Sequence, residues 1–150
     1  MRLIGVDLGD KRTGLAAGES VTGLVQPLEV LAVPRGQALL QQLARAVDRH
    51  GADALIVGLP INMDGTEGGA AAGVRAFAAE LAARTRLPVH FQDERLTSFD
   101  AEDRMKRSGL THKAKRELRD ALAACVILEE WLRAQAAPDA QQGDARDGDE

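Results

Sequence analysis

The chain has 150 residues, of which 45% are hydrophobic and 28% charged, a balance typical of a single soluble globular domain. Its one cysteine, Cys125, excludes an internal disulfide and lies in an apolar run, so we expect a buried thiol there rather than a nucleophile. The N-terminal apolar stretch is too short for a signal peptide, and no later stretch approaches membrane-spanning length. We therefore expect a cytoplasmic protein that does not contact a membrane.

The net charge of −4 is unevenly distributed. Residues 138–150 hold five acidic side chains and one arginine, which accounts for the whole net charge and leaves the remainder of the chain neutral. Because residues 137–150 have no apolar anchor, the sequence predicts a disordered acidic tail after a folded domain of residues 1–136.

A cluster of basic side chains interrupts the otherwise balanced domain. Only Glu117 opposes its members, which are Arg104, Lys106, Arg107, Lys113, Lys115, Arg116 and Arg119. A local excess of positive charge attracts a polyanion even when the total charge is negative. A solvated helix face would produce the same pattern, so charge alone leaves both interpretations open.

The chain opens with three short apolar segments, at 3–6, 13–17 and 26–32, which predict a β-meander. Leucine and valine at helical spacing then predict a helix that ends at His50-Gly51. The remaining expected elements are a buried strand at 54–57, an Ala-rich helix at 70–83, a strand at 88–91 and two helices near 98–108 and 115–136. The order β-β-β-α-β-α-β-α-α predicts an α/β fold with a mixed five-stranded sheet and helices on both faces.

Three carboxylates occupy unusual positions in this pattern. Asp7 interrupts an apolar run at the end of the first strand, and Glu94 ends a different parallel strand, where ligand sites of such sheets lie. Asp120 precedes a helical segment, 121–128, that is apolar on nearly every side. Each has a structural explanation when taken alone: a turn cap for Asp7, a local ion pair for Glu94 and a helix-dipole interaction for Asp120.

Taken together, the three carboxylates predict a metal site. Carboxylates brought close together in a poorly solvated site repel one another unless a cation is present. Oxygen ligands without a Cys/His cluster favour Mg²⁺ or Mn²⁺ over zinc. Two such ions can activate water and stabilise the leaving oxygen of a phosphodiester, and the basic cluster would hold the flanking phosphates. The sequence therefore predicts a nuclease in which Asp7, Glu94 and Asp120 are both metal ligands and catalytic residues.

The loop 58–69 follows the buried strand and opens the Ala-rich helix. It lacks the Gly-Lys-Ser/Thr sequence of a Walker loop. Its amides, with Asn62 and Thr66, could bind a phosphate, although a plain strand-to-helix connection is also possible.

Four segments in order resemble the YqgF/RuvX family of pre-16S rRNA nucleases and Holliday-junction resolvase-like proteins. They are GVDLGDKRTG at 5–14, GLPINMDGTE at 58–67, DERLTS at 93–98 and DALAACVIL at 120–128. The resemblance covers residues 1 to about 133 and implies an RNase H-like fold. It also implies a metal-binding triad that maps onto Asp7, Glu94 and Asp120, and a role in maturing the 5′ end of 16S rRNA during ribosome assembly.

Secondary roles follow from position relative to these segments. Lys11, Arg12 and Arg95 are candidates for contacting phosphate or stabilising transition-state charge. Asn62 and Asp64 are candidates for shaping the substrate groove. The other predicted substrate-binding residues are Thr97, Lys113 and Arg116.

Three alternatives to an RNA nuclease remain open from the sequence. A resolvase acting on branched DNA would use the same chemistry in a two-fold dimer, and both a monomer and a homodimer fit the sequence. An RNA-binding assembly factor of the ribosomal subunit precursor could retain the fold without turnover. An actin-like kinase resembles the chain at 7–9, but it needs two such domains and a second phosphate loop.

Overall fold

The structure is a computed structural model that describes residues 1–95 and 111–149, with the backbone alone described for Lys113 and for residues 137–149. The strands and helices, in chain order, are β1 (Arg2–Leu8), β2 (Thr13–Glu19), β3 (Val25–Leu31), α1 (Gln37–His50), β4 (Ala54–Leu59), α2 (Gly69–Thr85), β5 (Val89–Asp93) and α3 (His112–Asp149).

The strands form one mixed five-stranded sheet in the order β3-β2-β1-β4-β5. The meander β1–β2–β3 is antiparallel, whereas β1, β4 and β5 run parallel to one another. Strand β4 is buried along its whole length, as expected for a strand covered on both faces. The carboxyl ends of β1, β4 and β5 consequently meet at one edge of the sheet.

Alternation along β1 divides the core between the two faces of the sheet. Ile4, Val6 and Leu8 point toward α1 and α2 and belong to the larger apolar cluster. Leu3 belongs to the smaller cluster beneath α3, together with Ala124, Ile127 and Leu128 of that helix. Asp7 follows the same alternation as Leu3 and therefore lies on the α3 face.

Glycines on the α3 face let that helix lie against the sheet backbone. A Cβ atom at Gly5 would lie 2.8 Å from the carbonyl oxygen of Ala124, and one at Gly14 would overlap the carbonyl of Asp120. Gly58 likewise leaves no room for a side chain beside Ile127. The small residues therefore set the height of α3 above the sheet.

The mixed five-stranded sheet with helices on both faces confirms the fold class expected from the sequence. The helix expected at 98–108 lies outside the described residues. Helix α3 extends to Asp149, beyond the expected end at Ala136 and through Pro138, a residue that normally ends or kinks a helix. The division into a domain of 1–136 and a tail of 137–150 stays a prediction.

None of the described helices combines the length and apolarity needed to cross a membrane.

We expect Gly14→Ala to lower the free energy of unfolding by roughly 3 kcal/mol, because its methyl group would overlap the Asp120 carbonyl and displace α3. Gly69→Ala is the matched control, since a Cβ atom at this first residue of α2 meets no neighbouring atom. It should be neutral or slightly stabilising. Urea unfolding of the three proteins measures the difference, and equal midpoints would contradict the packing described here.

Candidate active site at the carboxyl ends of the strands

The sheet edge brings the three predicted carboxylates into one neighbourhood. Asp7 is the penultimate residue of β1 and pairs in register with Gly14 of β2, the glycine against which the Asp120 carbonyl packs. Glu94 directly follows β5, and its amide donates to the carbonyl of Leu59 at the end of β4, at 3.2 Å. The Glu94 carboxyl group lies over Gly58, where a Cβ atom would overlap it.

Asp7 and Glu94 hydrogen-bond to each other through their side chains. Burial raises the pKa of Asp7, and the charge of Asp120 raises it further, whereas the hydrogen bond to Glu94 opposes the rise. Burial, the charge of Asp7 and the same hydrogen bond raise the pKa of Glu94 to about 8. At neutral pH Glu94 therefore keeps its proton and donates a hydrogen bond to Asp7, because ionising both of these partly buried carboxyl groups without a compensating cation is unfavourable.

Asp120 forms an ion pair with an arginine and does not share the hydrogen bond between the other two carboxyl groups. Arg12, in the turn between β1 and β2, donates from Nε to Oδ2 of Asp120 at 2.7 Å. The Asp120 side chain is only 19% exposed. Within residues 1–95 and 111–149, no group of three or more His, Cys, Asp or Glu side chains has the arrangement of a metal site. The three-carboxylate metal site therefore stays a prediction.

Arg35 is a neighbour of the site that the sequence analysis missed. It donates from Nη2 to the carbonyl of Leu8 at 3.3 Å, and its positive charge lowers the pKa of Glu94, against the larger effects that raise it. Its Nε is buried and has no hydrogen-bond partner among the described residues. The order of the strands could have indicated Arg35. Because β3 runs parallel to β1, a residue shortly after β3 lies at the end of the sheet that carries Asp7.

The loop after β4 is a small hairpin that contains Asn62 and Asp64. The Asn62 side chain donates to the hydroxyl of Thr66 at 3.0 Å, and Asp64 accepts from the amide and the hydroxyl of Thr66. The hydrogen bonds to Thr66 lower the pKa of Asp64. Both residues thus stabilise the loop itself, and their contribution to a substrate groove stays a prediction.

Arg95 connects this loop to the strand that leads to Glu94. Its Nε donates to Asp93 at 2.7 Å and its Nη1 donates to the carbonyl of Met63 at 3.4 Å. Asp93 therefore forms its ion pair with Arg95 and not with Glu94. This agrees with the expectation that neighbouring side chains of a strand point to opposite faces of the sheet.

The remaining substrate-binding candidates are spread around the edge. Lys11 is exposed in the turn between β1 and β2, and Arg116 is exposed on α3, one turn before Asp120. Thr97 lies outside the described residues, as do Arg104, Lys106 and Arg107 of the basic cluster. Lys113 is within α3, but its side chain is not among those described.

Solved structures establish the class of fold. A complex of Thermus thermophilus RuvC with a Holliday junction substrate covers 91% of this chain and 96% of its own, with 15% identity and a TM-score of 0.55. The alignment with a fowlpox virus resolvase bound to Holliday junction DNA covers 90% of this chain and 99% of the resolvase, with 14% identity and a TM-score of 0.56. The chain has the RNase H-like fold of these resolvases.

The sequence comparisons identify the family. The family model RuvX, described as Holliday junction resolvase, matches residues 1–134. A pre-16S rRNA nuclease of Anaeromyxobacter sp. is 43% identical over 88% of this chain and 96% of its own length. A protein of the same name from Pelotomaculum thermopropionicum is 36% identical over 99% of this chain and 97% of its own length. The chain belongs to the RuvX family, also called YqgF, which confirms the resemblance and the nuclease class.

Without divalent cations, we expect the free energy of unfolding to fall as pH rises from about 4.5, the ordinary Glu pKa, toward about 8. Over this range the folded protein keeps the Glu94 proton while the unfolded chain releases it, so higher pH favours unfolding. Glu94→Gln should flatten the decline, because glutamine keeps a donor for Asp7 and does not titrate. Unfolding followed across pH tests this.

The control for this profile is Glu80→Gln, an exposed position on α2, which should keep the wild-type slope. A Glu94→Gln protein whose stability declines as steeply as that of the control would contradict the assignment of the proton to Glu94.

Proposed function

We propose that this nuclease is metal-dependent and cuts the RNA backbone in the 5′ region of precursor 16S rRNA, with Asp7, Glu94 and Asp120 as its metal ligands. The observation that carries the proposal is the partly buried Asp7–Glu94 pair, which shares a proton beside a third carboxylate. A protein gains no stability from burying acidic groups against one another, so the arrangement calls for a function that uses it.

The donor set fits a hard divalent cation. Only carboxylate oxygens are offered, as Mg²⁺ and Mn²⁺ prefer, and a cation would replace the proton that Glu94 holds. Bound there, a pair of such ions would lower the pKa of water and stabilise charge on the leaving oxygen of a phosphodiester.

The surrounding residues have distinct tasks in this proposal. Arg12 holds Asp120 in place in the absence of metal and, once Asp120 turns toward the other carboxylates, can donate to a phosphate oxygen. Arg35 limits the electrostatic cost of ionising Glu94. Lys11, Arg95 and Arg116 supply positive charge along the path of the nucleic-acid backbone, and the same role is proposed for Lys113. Thr97, which is neutral, is proposed to donate its hydroxyl to a phosphate oxygen.

Precursor rRNA is preferred as substrate because relatives of 36–43% identity over most of the chain carry the name pre-16S rRNA nuclease. The description of the family favours a second candidate, cleavage of four-way DNA junctions. Symmetric cutting of a junction needs two active sites related by a two-fold axis, so it also requires a homodimer. The immediate environment of the enzyme would be the ribosomal subunit precursor in the first case and recombining DNA in the second.

The deciding experiment compares cleavage of a precursor 16S rRNA fragment with that of a four-way DNA junction, each in Mn²⁺, Mg²⁺ or EDTA. We expect metal-dependent cutting of the RNA and a loss of roughly 10³-fold in Asp7→Asn, because that change removes a metal ligand. Asp48→Asn, an exposed change on α1, should cut like the wild type.

Preferred cutting of the junction would instead select the resolvase. RNA binding without cutting in any metal would contradict the proposal and favour an assembly factor.

A second prediction concerns the Arg12–Asp120 ion pair. Arg12→Ala should tighten Mn²⁺ binding about fivefold, because Asp120 no longer has to leave a cationic partner, and should slow cleavage. Arg49→Ala breaks an exposed ion pair with Glu29 of similar length and serves as the control, with unchanged Mn²⁺ affinity. Calorimetric titration measures both, and weaker Mn²⁺ binding by Arg12→Ala would contradict the role given to Asp120.

A further inference from the structure

The loop that leaves β4 is folded as a rigid hairpin. Ile61 and Glu67 form an antiparallel bridge, and the Asn62 amide donates to the carbonyl of Thr66 at 2.8 Å. Gly65 donates to the carbonyl of Asn62 at 2.8 Å and has a positive φ of 89°, which a three-residue hairpin loop requires at this position. Backbone and side-chain hydrogen bonds thus fix the conformation of the tip.

The stem of the hairpin is also fastened to the rest of the domain. Glu67 accepts two hydrogen bonds from Arg75 of α2, at 2.7 and 2.9 Å. The guanidinium of Arg75 in turn lies 4.8 Å from the ring centroid of Phe91 in β5. The hairpin is therefore attached to α2 and to β5, the strand that Glu94 directly follows.

Met63 stands at the tip of this hairpin and is 75% exposed. Turn positions favour polar residues, Pro or Gly, so a long apolar side chain there gains nothing locally. Its backbone is nevertheless held, because Arg95 donates to the Met63 carbonyl at 3.4 Å. Arg95 directly follows Glu94, so the backbone of the tip is hydrogen-bonded to the residue next to a candidate catalytic carboxylate.

We propose that Met63 packs against the face of the base that adjoins the cleaved phosphodiester, and that the enzyme consequently favours substrates in which this base is unpaired. The inference deepens the proposed nuclease function and rests on it. A thioether contacts aromatic faces favourably whatever the base, and methionine is among the apolar side chains that proteins insert between bases. The rigid hairpin lowers the entropic cost of this contact, because the backbone of the tip needs no ordering when the nucleic acid arrives.

The test measures binding, so that it does not depend on cutting. Asp7→Asn protein, alone and combined with Met63→Ala or Met63→Leu, is titrated with a single-stranded RNA and with a blunt duplex of the same sequence. We expect Met63→Ala to weaken single-strand binding about fivefold and duplex binding less than about twofold. Met63→Leu, which keeps a long apolar side chain, should restore single-strand binding.

Val21→Ala is the matched control. Val21 is 85% exposed and lies in the turn between β2 and β3, at the opposite edge of the sheet. It should change neither affinity. The proposal for Met63 is overturned if Met63→Ala binds both RNAs as the parent protein does, if it weakens both equally, or if the parent protein binds neither.

The two proposals fail separately. A wild-type protein that cuts no nucleic acid in any metal would refute the metal-dependent cleavage, whereas the ratio of single-strand to duplex affinity would still report on Met63. Conversely, metal-dependent cleavage with an unchanged affinity ratio in Met63→Ala would refute the Met63 contact alone.

Discussion

The candidate site depends on how closely α3 approaches the sheet. Because Gly14 has no side chain, the Asp120 carbonyl rests on the strand beside Asp7, and Gly58 leaves the space that the Glu94 carboxyl group occupies. A larger residue at either position would move α3 outward or displace Glu94. The same close contact forms the smaller half of the core, so the packing that stabilises the domain is also the packing that brings the carboxylates together.

The close packing of α3 on the sheet brings acidic side chains near one another, and the structure reduces their repulsion in two ways. The Asp7–Glu94 pair retains a proton, because burial raises the pKa of both groups. Asp120 instead forms an ion pair with the Arg12 guanidinium. Both arrangements can be undone when a cation binds. The Asp7–Glu94 pair can lose its proton, and the partly exposed Arg12 side chain can rotate away from Asp120. A site held in this way is suited to accepting cations, which would remove the repulsion without leaving an unpaired charge.

Much of the fold could be predicted from the sequence because its elements have strong local patterns. The short apolar runs at 3–6 and 88–91 predicted that Asp7 and Glu94 lie at the ends of two parallel strands, and β1 and β5 do run parallel on either side of β4. Local sequence patterns do not predict the ion pair between Arg12 and Asp120, because the two residues are 108 positions apart in the chain. Arg35 escaped notice because its effect on Glu94 depends on where the chain turns after β3. The hairpin at 61–67 was expected only as a Gly-rich loop, although Gly65 is placed where its turn requires a positive φ.

A crystal of the full chain, soaked in Mn²⁺ and measured at the manganese absorption edge, would show whether the three carboxylates form one metal site. We expect anomalous density within bonding distance of Asp7, Glu94 and Asp120, with Arg12 turned away from Asp120. Density elsewhere, with the Arg12–Asp120 ion pair intact and Glu94 still hydrogen-bonded to Asp7, would contradict it.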